Sequence, residues 1–211
     1  MTAYELMIKT NHYLIKGGSL SEKQKTGIVT QLLAALNTPD QEKEFYSGVK
    51  KPSKKDTDGR SMYPYFYTPA YNDGKKLKTI LGQTPKTHIL SDNMYELEIL
   101  RLLHMLAPED DRVKYMINET SNRLKTTCFG YQQCGIGECY DASLLVLRFI
   151  STVAPDDKDW IKSRINNYYK HFHKKKRPWF VEWYYWLCLS EMPLDIALSE
   201  IDKYKDVMLN M

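Results

Sequence analysis

The stretch YELEILRLLHMLAPEDD, residues 95–111, has a counterpart 47 residues later in ASLLVLRFISTVAPDD, residues 142–157. In both, one arginine interrupts an apolar helical pattern (Arg101 and Arg148), and the pattern closes on Ala-Pro followed by acids. Acids at a helix start interact favourably with the helix dipole, so each run after the proline predicts that a second helix begins. The two stretches therefore predict two helical hairpins in the same register.

The remaining sequence extends this pattern to an all-α fold. A third hairpin is expected from Trp179 to Met208, and three consecutive hairpins are typical of an α/α superhelix or a partial α/α toroid built from antiparallel helical hairpins. In architecture the chain resembles helical-repeat and α/α-toroid proteins, without a motif that names a family. We expect one compact domain with N-terminal helices at 1–49, an insertion at 50–90 and the hairpins at 91–211.

The insertion breaks the helical pattern. It contains four of the nine prolines, which excludes a long helix. The aromatic run Tyr63–Tyr67, the turn sequence Asn72-Asp-Gly and the run Leu77–Leu81 allow a β-hairpin. Because its aromatic side chains carry a large apolar area, we expect the insertion to be ordered and packed across the helices.

Charge and aromatic residues make the insertion a candidate binding surface. Between Lys50 and Lys86 there are nine basic and three acidic residues, interleaved with tyrosines. This combination suits an anionic or sugar-like ligand, whereas a pI of about 8.7 is too low to favour nucleic acid. Its ligand-binding candidates are Arg60, Tyr63, Tyr65 and Tyr67. We expect them near the ends of helices that start at Asn93 and Glu138, where free backbone N–H groups attract anions.

Arg101 and Arg148 are the second set of ligand-binding candidates. A charge in an apolar helix must be paired or must reach the edge of the core. Their spacing predicts that Arg101 pairs with Glu98 and Arg148 with Asp141, and structural pairing between repeats is the main interpretation. Binding of an anion by one of the two guanidinium groups is the alternative.

Two carboxylates open the second hairpin and are the catalytic candidates. Glu138 and Asp141 are three residues apart and share a helix face, so they could divide the roles of acid and base. The alternative is that first-turn acids simply interact with the helix dipole.

Three thiols, Cys128, Cys134 and Cys139, lie in a Gly-rich linker between two predicted helices. Their spacing is not that of a usual zinc site, so we predict no metal and no cofactor, with these cysteines as the ligands if a metal were found. A redox pair is a further alternative, while the simplest interpretation makes the cysteines small hydrophobic residues, with Cys139 buried.

The sequence predicts the localisation and function of the protein in general terms only. The absence of a signal-peptide core and of about 18 consecutive apolar residues predicts a cytoplasmic protein without a membrane span. We expect a helical-repeat binding or scaffold protein with a groove for an anionic or polyhydroxylated partner, or for another protein. An α/α-toroid enzyme acting on carbohydrate is the alternative, which the sequence favours less because a toroid needs more helices than this chain supplies. The aromatic helix at 179–187 is either core or a homo-oligomer interface.

Overall fold

The computed structural model describes residues 1–37, 65–66, 77–85, 88–132, 138–172 and 179–208. Every regular element in these ranges is helical, which confirms the prediction of an all-α protein. Thr38 as a cap and Pro39 at the first helical position predict a third N-terminal helix, and that helix lies outside the described residues. None of the helices in the described ranges combines the length and apolar character needed to cross a membrane.

The helices follow the order expected from the sequence. They are α1 (Ala3–Ile15), α2 (Glu22–Leu33), α3 (His88–Leu106), α4 (Asp111–Thr126), α5 (Glu138–Val153), α6 (Lys158–Phe172), α7 (Trp179–Glu191) and α8 (Leu194–Met208). A π-helical turn (Cys128–Gln132) follows α4. The start of α5 at Glu138 agrees with the prediction. The predicted start of α3 at Asn93 is wrong, because the helix begins at His88.

The two related stretches end their helices in the same way. Helices α3 and α5 each end directly before Ala-Pro, and their partner helices begin 47 residues apart. The amide of Ala107 donates to the carbonyl of Leu103 at 2.8 Å, and that of Ala154 donates to Ile150 at 2.9 Å. The shared register of the two turns is therefore present in the structure. Superposition of the complete hairpins, with Arg101 on Arg148, stays a prediction.

The core lies between α3 and α5, which pack along each other. Leu100 of α3 and Leu147 of α5, which correspond in the two stretches, are both fully buried. Helices α1 and α2 also pack against α3, while α7 packs against α5 and α6 contacts α8. Helices α1, α3, α5 and α7 thus contact one another in sequence, and the polar groups described below lie between them. Their arrangement into a superhelix stays a prediction.

The described parts of the insertion pack against the helices. Phe66 is buried in the core and pairs with Leu36 in an isolated β-bridge. The strand predicted over Leu77–Leu81 is wrong. The chain turns there because the amide of Thr79 donates to the carbonyl of Gln83 at 2.7 Å, and Gly82 takes a positive φ of 81°.

Gly130 is expected to be essential to the π-helical turn. A Cβ atom on it would lie 1.7 Å from the carbonyl oxygen of Leu124 and 2.8 Å from Oγ1 of Thr127. Gly130→Ala should therefore lower the free energy of unfolding by about 1–3 kcal/mol, measured by urea denaturation. The matched control is Gly27→Ala, where the added Cβ meets no atom within 4 Å. That change should raise the free energy of unfolding by about 0.5–1 kcal/mol, since alanine is the better helix former. Equal effects of the two substitutions would contradict this account of the turn.

Candidate functional site

Arg148 joins three helices through a buried ion network. Its Nη1 donates to both carboxylate oxygens of Glu98 on α3 at 2.6 Å. Its Nε and Nη2 each donate to Glu191, the last residue of α7, at 2.7 Å. The side chains of Arg148 and Glu98 are 1% and 3% exposed, whereas that of Glu191 is 24% exposed. The network therefore extends from the core to the surface.

Arg101 completes this network from α3. Its Nη2 lies 3.0 Å from Oε2 of Glu191, so the two arginines share one carboxylate. Its Nε donates to Oγ1 of Thr152 at 2.9 Å, and its Nη1 donates to Oδ1 of Asn11 at 3.3 Å. Two guanidinium groups and two carboxylates thus balance in charge, and every partner comes from another helix.

Burial and ion pairing determine the pKa shifts of Arg148, Glu191 and Arg101 in this network. Burial lowers the pKa of Arg148, but the attraction of Glu98 and the bonds to Glu191 outweigh it and hold that pKa well above the usual value. For Glu191, burial raises the pKa, yet the bonds from Arg148 and Arg101 bring it below its usual range. Burial and the nearby Arg148 lower the pKa of Arg101. Two of the three shifts, those of Arg148 and Glu191, thus favour the charged form.

The expected pairing of each arginine with a specific carboxylate is wrong. Glu98 bonds Arg148 rather than Arg101, and Arg148 bonds Glu98 and Glu191 rather than Asp141. The reason is that α3 and α5 lie side by side. A side chain that points inward therefore reaches a partner on the adjacent helix before it reaches one on its own helix. The main interpretation, pairing between repeats, agrees with these contacts.

A cavity of about 430 Å³, here called the Arg101 cavity, opens over this network. Its polar lining consists of Asn11, Arg101, Arg148, Ser151, Thr152 and Glu191. Its apolar lining consists of Leu14, Ile15, Met105, Pro155 and Pro193. The cavity therefore has a polar floor formed by fixed hydrogen-bonding groups and walls that are mainly apolar.

Tyr65 lies at a different place from the Arg101 cavity. Its hydroxyl donates to the Glu119 carboxylate on α4, and the Arg123 guanidinium lies 5.7 Å from the ring centroid. Burial and then the Glu119 hydrogen bond raise the pKa of Tyr65. The sequence predicts Tyr65 near the helix starts at Asn93 and Glu138. Its backbone amide contacts Glu96, three residues after Asn93, and its hydroxyl contacts Glu119, and both residues lie in the middle of their helices. Arg60, Tyr63 and Tyr67 lie outside the described residues.

Glu96 fixes the backbone of this segment. Its carboxylate, on a residue that is 3% exposed, accepts from the amides of Tyr65 at 2.9 Å and Phe66 at 3.0 Å. Burial raises the pKa of Glu96 to about 8, although both amides lower it. A second cavity of about 510 Å³, here called the Tyr65 cavity, is lined mainly by apolar groups and includes Tyr115 and Met116.

The catalytic candidates lie at the far end of α5. Asp141 is half-buried in the first turns of the helix, and the side chain of Glu138 is outside the described part. Arg148 follows Asp141 by seven positions, which corresponds to about 10 Å along a helix. The structure therefore does not bring Asp141 together with the Arg101 cavity.

The cysteines divide into an accessible pair and a buried residue. Sγ of Cys128 lies 3.7 Å from Sγ of Cys139. Cys128 is exposed and Cys139 is half-buried, so the prediction that Cys139 is buried is wrong. Cys134 lies outside the described residues. In the ranges that are described, no three His, Cys, Asp or Glu side chains are placed to hold a metal ion.

Sequence reasoning missed Asn11, Glu96 and Glu191. The signal for Glu96 was present, since Glu96 and Glu98 alternate with apolar residues in a helix that is otherwise buried. Glu191 ends an aromatic helix and resembles any surface acid in the sequence. Asn11 comes from α1, and no local pattern connects it with the hairpins.

The comparisons with known proteins give no relative for this arrangement. No protein-family model, no curated protein and no solved structure matches the chain.

Proposed function

We propose that this protein is a helical-repeat binding protein that takes a neutral, polyhydroxylated molecule into the Arg101 cavity. The observation that carries the proposal is the polar floor above the charge-balanced network, where Arg101 and Glu191 present both donors and acceptors at one opening. Helices α1, α3, α5 and α7, which contact one another in sequence, would form the repeat scaffold. This architecture is common in proteins that bind along a groove.

The floor suits hydroxyl groups because a hydroxyl both donates and accepts a hydrogen bond. Arg101 uses one N–H of Nη1 for Asn11 and one of Nη2 for Glu191, and a guanidinium carries two hydrogens on each of these nitrogens. The partly exposed Glu191 carboxylate can accept from a ligand hydroxyl. Apolar walls from Ile15 and Met105 suit the C–H faces of a polyol. The cavity volume of 430 Å³ lies within the usual range of about 300–1,000 Å³ for small-molecule sites.

Charge balance favours a neutral ligand over an anion. An anion entering the cavity meets Arg101 and Arg148, but it also meets Glu191, which together with Glu98 already balances the two positive charges. Like charges brought together in a partly desolvated site repel, and this repulsion by Glu191 opposes the attraction of the spare guanidinium N–H groups. We therefore choose the polyhydroxylated class from the two classes that the sequence suggests.

Binding is favoured over acid–base catalysis at this site. A general acid or base works best with a pKa near the working pH. The pKa of Arg148 is raised and that of Glu191 is lowered, so the pKa values of these two groups move away from neutral pH. Glu96, whose pKa is raised to about 8, holds two backbone amides instead of lining the Arg101 cavity.

Methyl NMR of ¹³C-methionine-labelled protein tests the proposal directly. Met105 lines the cavity and is 40% exposed, so its methyl signal, assigned with Met105→Leu, reports on occupancy. Titration with maltose and myo-inositol should shift this signal saturably. Glucuronate and inorganic phosphate, the anionic probes, should shift it less at equal concentration.

Two matched tryptophan variants identify the cavity that binds. Ile15→Trp fills the Arg101 cavity from a side chain that is 41% exposed, and it should abolish the Met105 shift. Tyr115→Trp changes the Tyr65 cavity instead and should leave the shift unchanged. Stronger binding of the anionic probes, or no Met105 shift with any of the four probes, would contradict the proposal.

A further inference from the structure

The cysteine pair beside the π-helical turn has a geometry that the binding proposal does not use. We propose that Cys128 and Cys139 form a reversible disulfide by exchange with low-molecular-weight disulfides such as oxidised glutathione. The linkage would covalently join the end of α4 to the start of α5. This site is independent of the Arg101 cavity.

The two sulfur atoms are already close to bonding distance. They lie 3.7 Å apart, and a disulfide bond measures about 2.05 Å, so each sulfur must move by less than 1 Å on average. Rotation about the Cα–Cβ bonds supplies movements of that size without displacing a helix. By contrast, Cys188 is 1% exposed, with its Sγ 3.7 Å from the carbonyl oxygen of Leu144.

The position of Cys128 is fixed by the folded elements around it. The π-helical turn packs against both α4 and α5. Oγ1 of Thr127, the preceding residue, donates to the carbonyl of Leu124 at 2.8 Å and accepts from the amide of Gly130 at 3.0 Å. The close approach of Gly130 to Leu124 leaves no room for a side chain. Isolated π-helical turns occur frequently at functional sites.

Exposure assigns the order of the two thiols in the reaction. The thiolate of exposed Cys128 attacks one sulfur of the small disulfide, which breaks its S–S bond and releases one thiolate. The Cys139 thiolate then attacks Sγ of Cys128 and displaces the second small thiolate. Two protein thiols are oxidised to one disulfide, one small disulfide is reduced to two thiols, and the two cysteine protons pass to the released thiolates.

The linkage should stabilise the folded chain. Joining residues 128 and 139 closes a short loop in the unfolded state and lowers its entropy. We expect the Tm to rise by about 5–10 °C on oxidation and to return when a dithiol reductant is added. Rapid reversal separates this site from a permanent structural crosslink.

Mapping the disulfide in the 211-residue chain tests the proposal. The protein is equilibrated in glutathione buffers of graded ratio, quenched in acid and alkylated, so that remaining free thiols are counted by mass. The count should fall from four to two. Trypsin leaves all three linker cysteines on one peptide, because no Lys or Arg occurs between Lys125 and Arg148. Chymotrypsin combined with cleavage after Glu138 separates them and should yield a Cys128–Cys139 link.

Serine variants define the outcomes. On oxidation, Cys134→Ser and Cys188→Ser should still lose two thiols. Cys128→Ser should lose none by intramolecular linkage. Cys139→Ser should stop at a glutathione adduct on Cys128. A link through Cys134 in the wild-type protein would overturn the assignment. Four free thiols at every glutathione ratio, or stable adducts without a link, would overturn the proposal itself.

Discussion

Replacing Arg148 with methionine is expected to lower the free energy of unfolding by about 3–5 kcal/mol. Arg148 is 1% exposed and supplies two of the hydrogen bonds of Glu98, which is itself 2% exposed. Removal of the guanidinium leaves a buried carboxylate with the Tyr184 hydroxyl, at 2.5 Å, as its remaining partner in the network. Urea denaturation followed by circular dichroism measures the loss.

Two controls separate the buried charge from lost packing. Adding Glu98→Gln to Arg148→Met removes the unpaired charge, keeps an acceptor for Tyr184 and should recover most of the stability. Lys158→Met breaks the ion pair between Lys158 and Asp195. The two side chains are 47% and 56% exposed, so this change should alter the free energy of unfolding only slightly. If the double variant were as unstable as the single one, the loss would come from packing.

Glu96→Ala is expected to lower the free energy of unfolding by about 2–5 kcal/mol near pH 6. The carboxyl group accepts from two backbone amides, those of Tyr65 and Phe66, and each buried amide left without an acceptor costs about 1–3 kcal/mol. Phe66 is 1% exposed, so water cannot replace the lost acceptor easily. Urea denaturation reports the global loss, and hydrogen exchange at the two amides reports the local one.

Glu96 also gives the stability a defined pH dependence. Its pKa rises from 4.5 to about 8 on folding, so between these values the folded protein binds more protons than the unfolded chain. The contribution of Glu96 is therefore greatest below about pH 4.5 and is lost as the pH rises through about 8. Glu96→Gln, the matched control, should lose stability less steeply between pH 5 and 8. Parallel pH profiles for the wild type and this variant would contradict the role of Glu96.

Local sequence rules predicted the elements that depend on neighbouring residues. A serine before a helical pattern predicts an N-cap and a glycine pair predicts a helix end. In the structure Ser21 caps α2, and Gly17, with a φ of 79°, follows the end of α1. The Ala-Pro-acid runs predicted both hairpin turns because a proline and the acids after it act within a single turn of helix. The isolated run Leu77–Leu81 misled the same reasoning, since its strand-forming residues carry no information about a pairing partner.

The sequence by itself determined that the chain is helical, where its hairpins turn and which charges interrupt apolar helices. Helical periodicity and capping act over a few residues, so they can be read along the chain. Only the tertiary structure decided that Arg148 pairs with Glu98 and Glu191, residues that are 50 and 43 positions away. The same holds for the contact of Asn11 with Arg101 across 90 positions. The identity of a partner from another helix depends on how the helices pack, and that packing is a property of all their buried faces together.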